Sequence, residues 1–219
     1  MTYVNLRDIT EEATAEARRL ISIQNRKSQP FRNRFDHTIR VLNWAHRIHK
    51  VEGGDFEIIT LAILFHDTGW SDTVDHALVG AELAEKYLLG KIVNPIQVDQ
   101  ITSAVRTHNK RQGPQEGLPI ENLIVMDADF LDEVGVTTLV WDAMATATED
   151  NPSYSRAIER NQEFFERATG KTNYLMTETG IKLYNDRIAM WEKCLNHFRY
   201  ELGLSGVIRT CPPATSANR

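Results

Sequence analysis

His66 and Asp67 stand side by side at the end of the apolar run Leu61-Ala62-Ile63-Leu64-Phe65, and Gly69 follows two residues later. Neutral imidazole and carboxylate are both good ligands for first-row divalent metals. Desolvating the pair beside a hydrophobic run is costly unless something neutralises it, and a bound cation would do so. A helix C-terminus, with His66 in the last turn and Gly69 just beyond, is the plainer alternative. What raises the pair above that alternative is its company: His37, His76 and His108, and two aspartates, Asp127 and Asp129, in the run 122–132.

The elements that must position these groups read as helices. Over 36–50, at about 100° per residue, Val41, Trp44 and Ile48 fall within about 40° of His37, so His37 shares the apolar stripe while His46 lies opposite. Residues 55–66 are apolar all round, which predicts a buried helix delivering His66 and Asp67 to the interior. A helix from 76 to 89 sets Val79, Gly80, Leu83 and Tyr87 on the side of His76, and Gly80 leaves room for close approach of another helix. Pro95 suits a helix start. Over 95–108 the residues Ile101, Ala104 and Val105 stand seven, four and three positions before His108, which therefore faces inward from a helix end. The run 122–132 has β-branched character, but no second strand exists to satisfy its backbone, so it reads as helix. On that helix Asp127 and Asp129 are about 200° apart and cannot share one site; Asp127, Asp132 and Glu133 also suit helix-surface or capping roles. Further helices are expected at 9–25, capped by Thr10, and at 135–149, 153–169 and 179–201. His197, in the last, has no partner in sequence and reads as structural. Four separated inward imidazoles are hard to explain as packing, because each would need its own buried partner.

A length of 219 residues predicts one helical domain over 1–209, with its site-bearing core at about 30–135 and a disordered Pro-, Ser- and Ala-rich tail over 210–219. A net charge of −5 gives no basic field to attract nucleic acid, and 42% hydrophobic with 25% charged residues suits a soluble globular protein. Cys194 and Cys211 are too few for a disulfide framework. The N-terminus lacks the apolar stretch of a signal peptide, and no run reaches the ~20 apolar residues of a membrane span. A cytoplasmic setting without membrane association is expected. The apolar helix 181–198 serves either the core or a second copy of the chain. The basic segments 26–34 and 109–114 serve either as solvated loops or as anion-binding edges.

The strings Phe35-Asp36-His37-Thr38-Ile39-Arg40-Val41, Leu64-Phe65-His66-Asp67-Thr68-Gly69 and Asp127-Ala128-Asp129-Phe130-Leu131-Asp132, in this order, resemble the HD-domain superfamily of metal-dependent phosphohydrolases. The resemblance covers residues 30–135 and implies an all-α helical bundle. It implies that His37, His66, Asp67 and Asp129 hold one divalent metal, Asp129 being the aspartate that follows a small residue. His76 and His108 match the two extra histidines of members with a second metal, where the aspartate of the His-Asp pair bridges. One or two ions of Mn, Co, Ni, Zn, Mg or Fe would then act on a small phosphorylated substrate, with a nucleotide foremost. Asp67 would be the catalytic carboxylate, and Arg34, Lys110 and Arg111 would be the candidate phosphate contacts. A mixed-valent di-iron oxygenase branch of the superfamily uses the same six-ligand pattern and is the competing expectation. A non-catalytic metal-containing binding module is a third. The Glu-Asp pair typical of the superfamily's (p)ppGpp hydrolases is absent, Trp70-Ser71-Asp72 standing in its place.

Overall fold

A computed structural model describes residues 3–24, 33–70, 73–111, 117–204 and 206. In chain order the helices are α1 (Leu6–Ser22), α2 (Arg34–Glu52), α3 (Phe56–His66), α4 (His76–Gly90), α5 (Pro95–Thr107), α6 (Ile120–Asp132), α7 (Thr137–Thr146), α8 (Tyr154–Ala168) and, after a 3-10 turn at Lys171–Tyr174, α9 (Glu178–Glu201). Among the described residues there is no strand, so the fold is all-α, and the run 122–132 is helical as its lack of a strand partner requires. The expected tail over 210–219, most of the basic segment 26–34 and the end of the segment 109–114 lie outside the described residues.

Short polar side chains start the helices that matter for the site. Asn33, Asp55, Asp75 and Asn94 each accept a first-turn backbone N–H at the head of α2, α3, α4 and α5. The expected cap at Thr10 is corrected to Asn5, whose side chain accepts from Arg7 N at 3.0 Å. Thr10 lies inside α1, its hydroxyl donating to the Leu6 carbonyl. The buried stripe begins one turn earlier than Thr10, at Leu6 and Ile9, and that is why the helix does too.

The chain divides into two helical units, residues 1–132 with 175–180, and residues 133–174 with 181–219. In the first, α3 is the central rod. Ile59 and Leu61 to Phe65 are wholly buried, and α1, α2, α4, α5 and α6 all pack on this helix. Burying a Leu, Ile or Phe side chain contributes about 1.5–3 kcal/mol each, so this short helix anchors the unit. Asp127 ties in the segment 175–180 by accepting Met176 N at 2.7 Å, Thr177 N at 2.8 Å and the Thr177 hydroxyl at 2.7 Å. In the second unit α7 packs on α8, and Tyr184, Ile188, Trp191 and Leu195 of α9 are buried. A polar chain crosses that core: Trp191 Nε1 donates to Asn161 Oδ1, and Asn161 Nδ2 to Asp142 Oδ2, each at 2.7 Å. No helix among the described residues is long and apolar enough to cross a membrane.

Candidate metal centre

Helix ends build the site. α3 ends in His66 with Asp67 as its C-cap; His108 is the C-cap of α5; His76 opens α4; His37 sits in the first turn of α2; Asp129 lies on α6. Two glycines let α4 start against the end of α3. A Cβ on Gly80 would lie 2.9 Å from the Phe65 carbonyl oxygen and 3.2 Å from that of His66, and a Cβ on Gly69 would overlap the α4 backbone. Gly69 does not have the positive φ of a left-handed helix cap, so its role is space rather than conformational freedom. Gln24 Nε2 donates to the Asp67 and Thr68 carbonyls at 3.0 and 2.8 Å, satisfying backbone left over at the α3 terminus.

Six side chains converge in two groups, His37 with His66 and Asp129, and Asp67 with His76 and His108, each group placing one donor atom per residue within 4.8 Å of the others. In the first, His37 Nε2 lies 3.2 Å from His66 Nε2 and 3.1 Å from Asp129 Oδ1. In the second, His76 Nε2 lies 3.0 Å from His108 Nε2. Asp67 stands between them. Its Oδ2 is 3.7 Å from His37 Nε2 and 3.8 Å from His66 Nε2, while its Oδ1 is 3.7 Å from His76 Nε2.

The other ring nitrogens determine what these Nε2 atoms can do. His66 Nδ1 donates to the Ile63 carbonyl at 2.6 Å, His108 Nδ1 to the Val105 carbonyl at 2.7 Å, and His37 Nδ1 to Asp132 Oδ2 at 2.7 Å. In a neutral ring each such bond leaves Nε2 as a bare lone pair. Burial holds His66 well below the ordinary histidine range and His108 down at about 4, so both are neutral. In the tautomers these Nδ1 bonds select, two nitrogen lone pairs face each other across 3.2 Å, an arrangement favourable only with a positive charge between them. The donor set of imidazoles and carboxylates therefore fits a divalent transition metal.

Two arginines supply positive charge here. Arg34 is in contact with Asp67 Oδ2, and Arg111 with Asp129 Oδ2. Burial alone would raise the Asp129 carboxyl, but the Arg111 guanidinium beside it outweighs burial and holds Asp129 well below the carboxylate range. Lys110, the third candidate phosphate contact, is exposed just past the end of α5. All six metal candidates other than His76 are buried; the His76 side chain is 27% exposed and marks the open side of the cluster.

Asp132 is corrected from a surface or capping group to a buried partner of the site. It accepts His37 Nδ1 and is clamped by Arg40 Nε at 2.8 Å and Nη2 at 2.9 Å. The signal was present in the spacing: Asp132 stands three residues after Asp129, and Arg40 three after His37, so each pair shares a helix face. Asp127 points away from the cluster to its bonds with Met176 and Thr177, as its angular separation from Asp129 requires. His46 is exposed against the edge of Phe56, and the exposed His197 pairs with Glu201 at 2.9 Å.

A family model, the HD domain, matches residues 34–133. No curated protein sequence matches the chain significantly. Among solved structures, a predicted HD superfamily hydrolase from an uncultured Thermotogales bacterium is 24% identical with a TM-score of 0.60, over 91% of this chain and 100% of that one. An HD-superfamily hydrolase from Bacillus thuringiensis is 17% identical with a TM-score of 0.70, over 92% and 100%. Bacillus subtilis YpgQ, solved in complex with ADP, is 17% identical with a TM-score of 0.66, over 92% and 98%.

Proposed function

The chain belongs to the HD-domain superfamily through residues 34–133, and from that premise we propose that it is a metal-dependent phosphohydrolase cleaving a phosphate ester of a small metabolite, with a nucleotide as the favoured substrate class. The observation that carries the reading is Asp67, one oxygen turned to the His37–His66 pair and the other to His76. That is the placement a carboxylate needs to bridge two cations. In this reading His37, His66 and Asp129 would hold one ion, His76 and His108 a second, and Asp67 would contribute to both. A divalent cation supplies, when bound, Lewis-acid polarisation of a phosphoryl oxygen and a water acidic enough to react near neutral pH.

The chain's own residues do the rest. Ile63 and Val105 carbonyls and Asp132 fix the tautomers of three imidazoles, so their Nε2 lone pairs are aimed before any ion arrives. Asp67, lying between the two groups, would help to orient the attacking water toward phosphorus. Arg34 and Arg111 present guanidinium forks suited to phosphate oxygens. The buried surroundings exclude bulk water from every ligand except His76. Support for a nucleotide comes from the ADP held by the B. subtilis relative.

The test is elemental analysis of protein purified without chelator, followed by a nucleotide and phosphomonoester panel. One or two equivalents of divalent metal per chain, with release of phosphate or pyrophosphate from nucleotides, is expected. Two irons per chain with a mixed-valent electron paramagnetic resonance signal, or a metal-loaded chain inert on the whole panel, would overturn the phosphohydrolase reading.

A further inference from the structure

The two arginines at the cluster are largely shielded from solvent, and each lies against a carboxylate assigned to a metal. Arg34 contacts Asp67, their side chains 9% and 4% exposed, and Arg111 contacts Asp129, at 13% and 6%. In these two ion pairs the charges of the two aspartates and the two arginines cancel. Each divalent cation that binds these carboxylates adds two positive charges to a desolvated pocket already holding two guanidiniums. Such an excess is expensive to bury. The arginines must then move to another anion, and a phosphate dianion carries two negative charges, which balance the two positive charges that one cation introduces. Arg111 has a path for this. Its guanidinium lies 5.1 Å from the centroid of the Phe130 ring, a face on which a cation keeps part of its stabilisation while it leaves Asp129.

We propose that Arg34 and Arg111 are exchangeable counter-ions: they neutralise Asp67 and Asp129 in the metal-free chain and pass to substrate phosphate when a cation takes those carboxylates, so cation and phosphate bind as one coupled unit. This deepens the reading of the site as a metal-dependent phosphohydrolase and rests on it. Because the coupling is reciprocal, phosphate must tighten cation binding by the factor by which cation tightens phosphate binding. The two arginines also act in opposite senses on the two ligands, competing with the cation and recruiting the anion.

The experiment titrates Mn²⁺ into the chelator-stripped full chain by calorimetry, with and without inorganic phosphate, for the unaltered chain and for Arg111→Gln. In the unaltered chain phosphate tightens Mn²⁺ binding. In the variant Mn²⁺ alone binds tighter than in the unaltered chain, by about tenfold for loss of one charge-assisted competitor, and the effect of phosphate shrinks. Arg34→Gln makes the same test at Asp67 should Arg111→Gln not fold, as judged by melting in chelator. A folded variant that binds Mn²⁺ alone no tighter than the unaltered chain, or in which phosphate acts undiminished, overturns the exchange. If the unaltered chain binds Mn²⁺ and hydrolyses nucleotides while the variant does not tighten, the exchange alone falls. If the unaltered chain binds no Mn²⁺ at all, the metal site and the exchange fall together.

Discussion

Replacing Asp132 tests how far the site depends on a residue that binds no metal. Its two oxygens accept three hydrogen bonds, from His37 Nδ1 at 2.7 Å and from Arg40 Nε and Nη2 at 2.8 and 2.9 Å. An asparagine has one acceptor and one donor end, so one of these directions must face donor to donor. The cheaper orientation keeps the oxygen on buried His37 and turns the NH₂ toward Arg40 Nε, because the Arg40 side chain is 46% exposed and water can replace the lost acceptor. Asp132→Asn therefore retains the ring orientation and loses only the charge on the acceptor, which places it near the low end of the roughly 10–100-fold loss of metal affinity typical of such partners. Asp132→Ala loses both. It leaves a buried N–H unpaired, at a cost of about 1–3 kcal/mol, and belongs near the high end. Mn²⁺ titration calorimetry, with melting in chelator as the control for folding, reads the series. The order expected is unaltered chain, then Asn, then Ala, with Arg40→Ala close to Asn. An alanine variant that melts normally and binds Mn²⁺ as tightly as the unaltered chain would refute the reasoning.

His66→Ala and Asp67→Ala should each abolish metal retention on elemental analysis, and full metal content in either would remove that residue from the ligand set. Gly80→Ala should lower the melting temperature by several degrees, since overpacking against the Phe65 and His66 carbonyls costs about 1–3 kcal/mol and ~1 kcal/mol moves Tm by about 2–4 °C in a chain of this size; an unchanged Tm would contradict the close approach. Burial, opposed by the bonds from Thr177 and Met176, pushes the Asp127 carboxyl up to about 6. A raised acid stabilises the fold most fully below its unfolded pKa of about 3.9 and loses that contribution as pH rises through its folded pKa. Melting of the unaltered chain relative to Asp127→Asn should thus fall between about pH 4 and pH 6 and level off above; a pH-independent difference would refute the assignment.

The parts of this chain legible in its sequence were those set by local period and charge. The apolar run ending at Phe65 could only be a buried helix, and His37, with Val41 and Ile48 on its stripe, could only face the core. The resemblance to the HD domain then singled out Asp129 over Asp127, which helix geometry alone had left open. What was not legible was long-range pairing. Asp132 looks like a helix-end carboxylate until α2 lies against α6 and brings His37 and Arg40 to it. Asp127 looks idle until the segment at Met176 and Thr177, some fifty positions away, returns to use it. The start of α1 was misplaced because Thr10 and Asn5 are both competent caps, and only the burial of Leu6 and Ile9 decides between them.

The tautomer bonds differ in how far along the chain they reach, and this gives the site an order of assembly. His66 and His108 donate to carbonyls three residues back in their own helices, so both rings are set as soon as α3 and α5 wind their last turns. His37 is set by a residue 95 positions away and stays unaimed until α2 docks on α6. Helix formation takes about a microsecond or less, whereas closing so distant a contact belongs to the slower, topology-limited stage of folding. Cation uptake during refolding is therefore a clock for the docking of α2 on α6. It should lag the far-ultraviolet circular dichroism signal, and uptake coincident with helix formation would contradict that order.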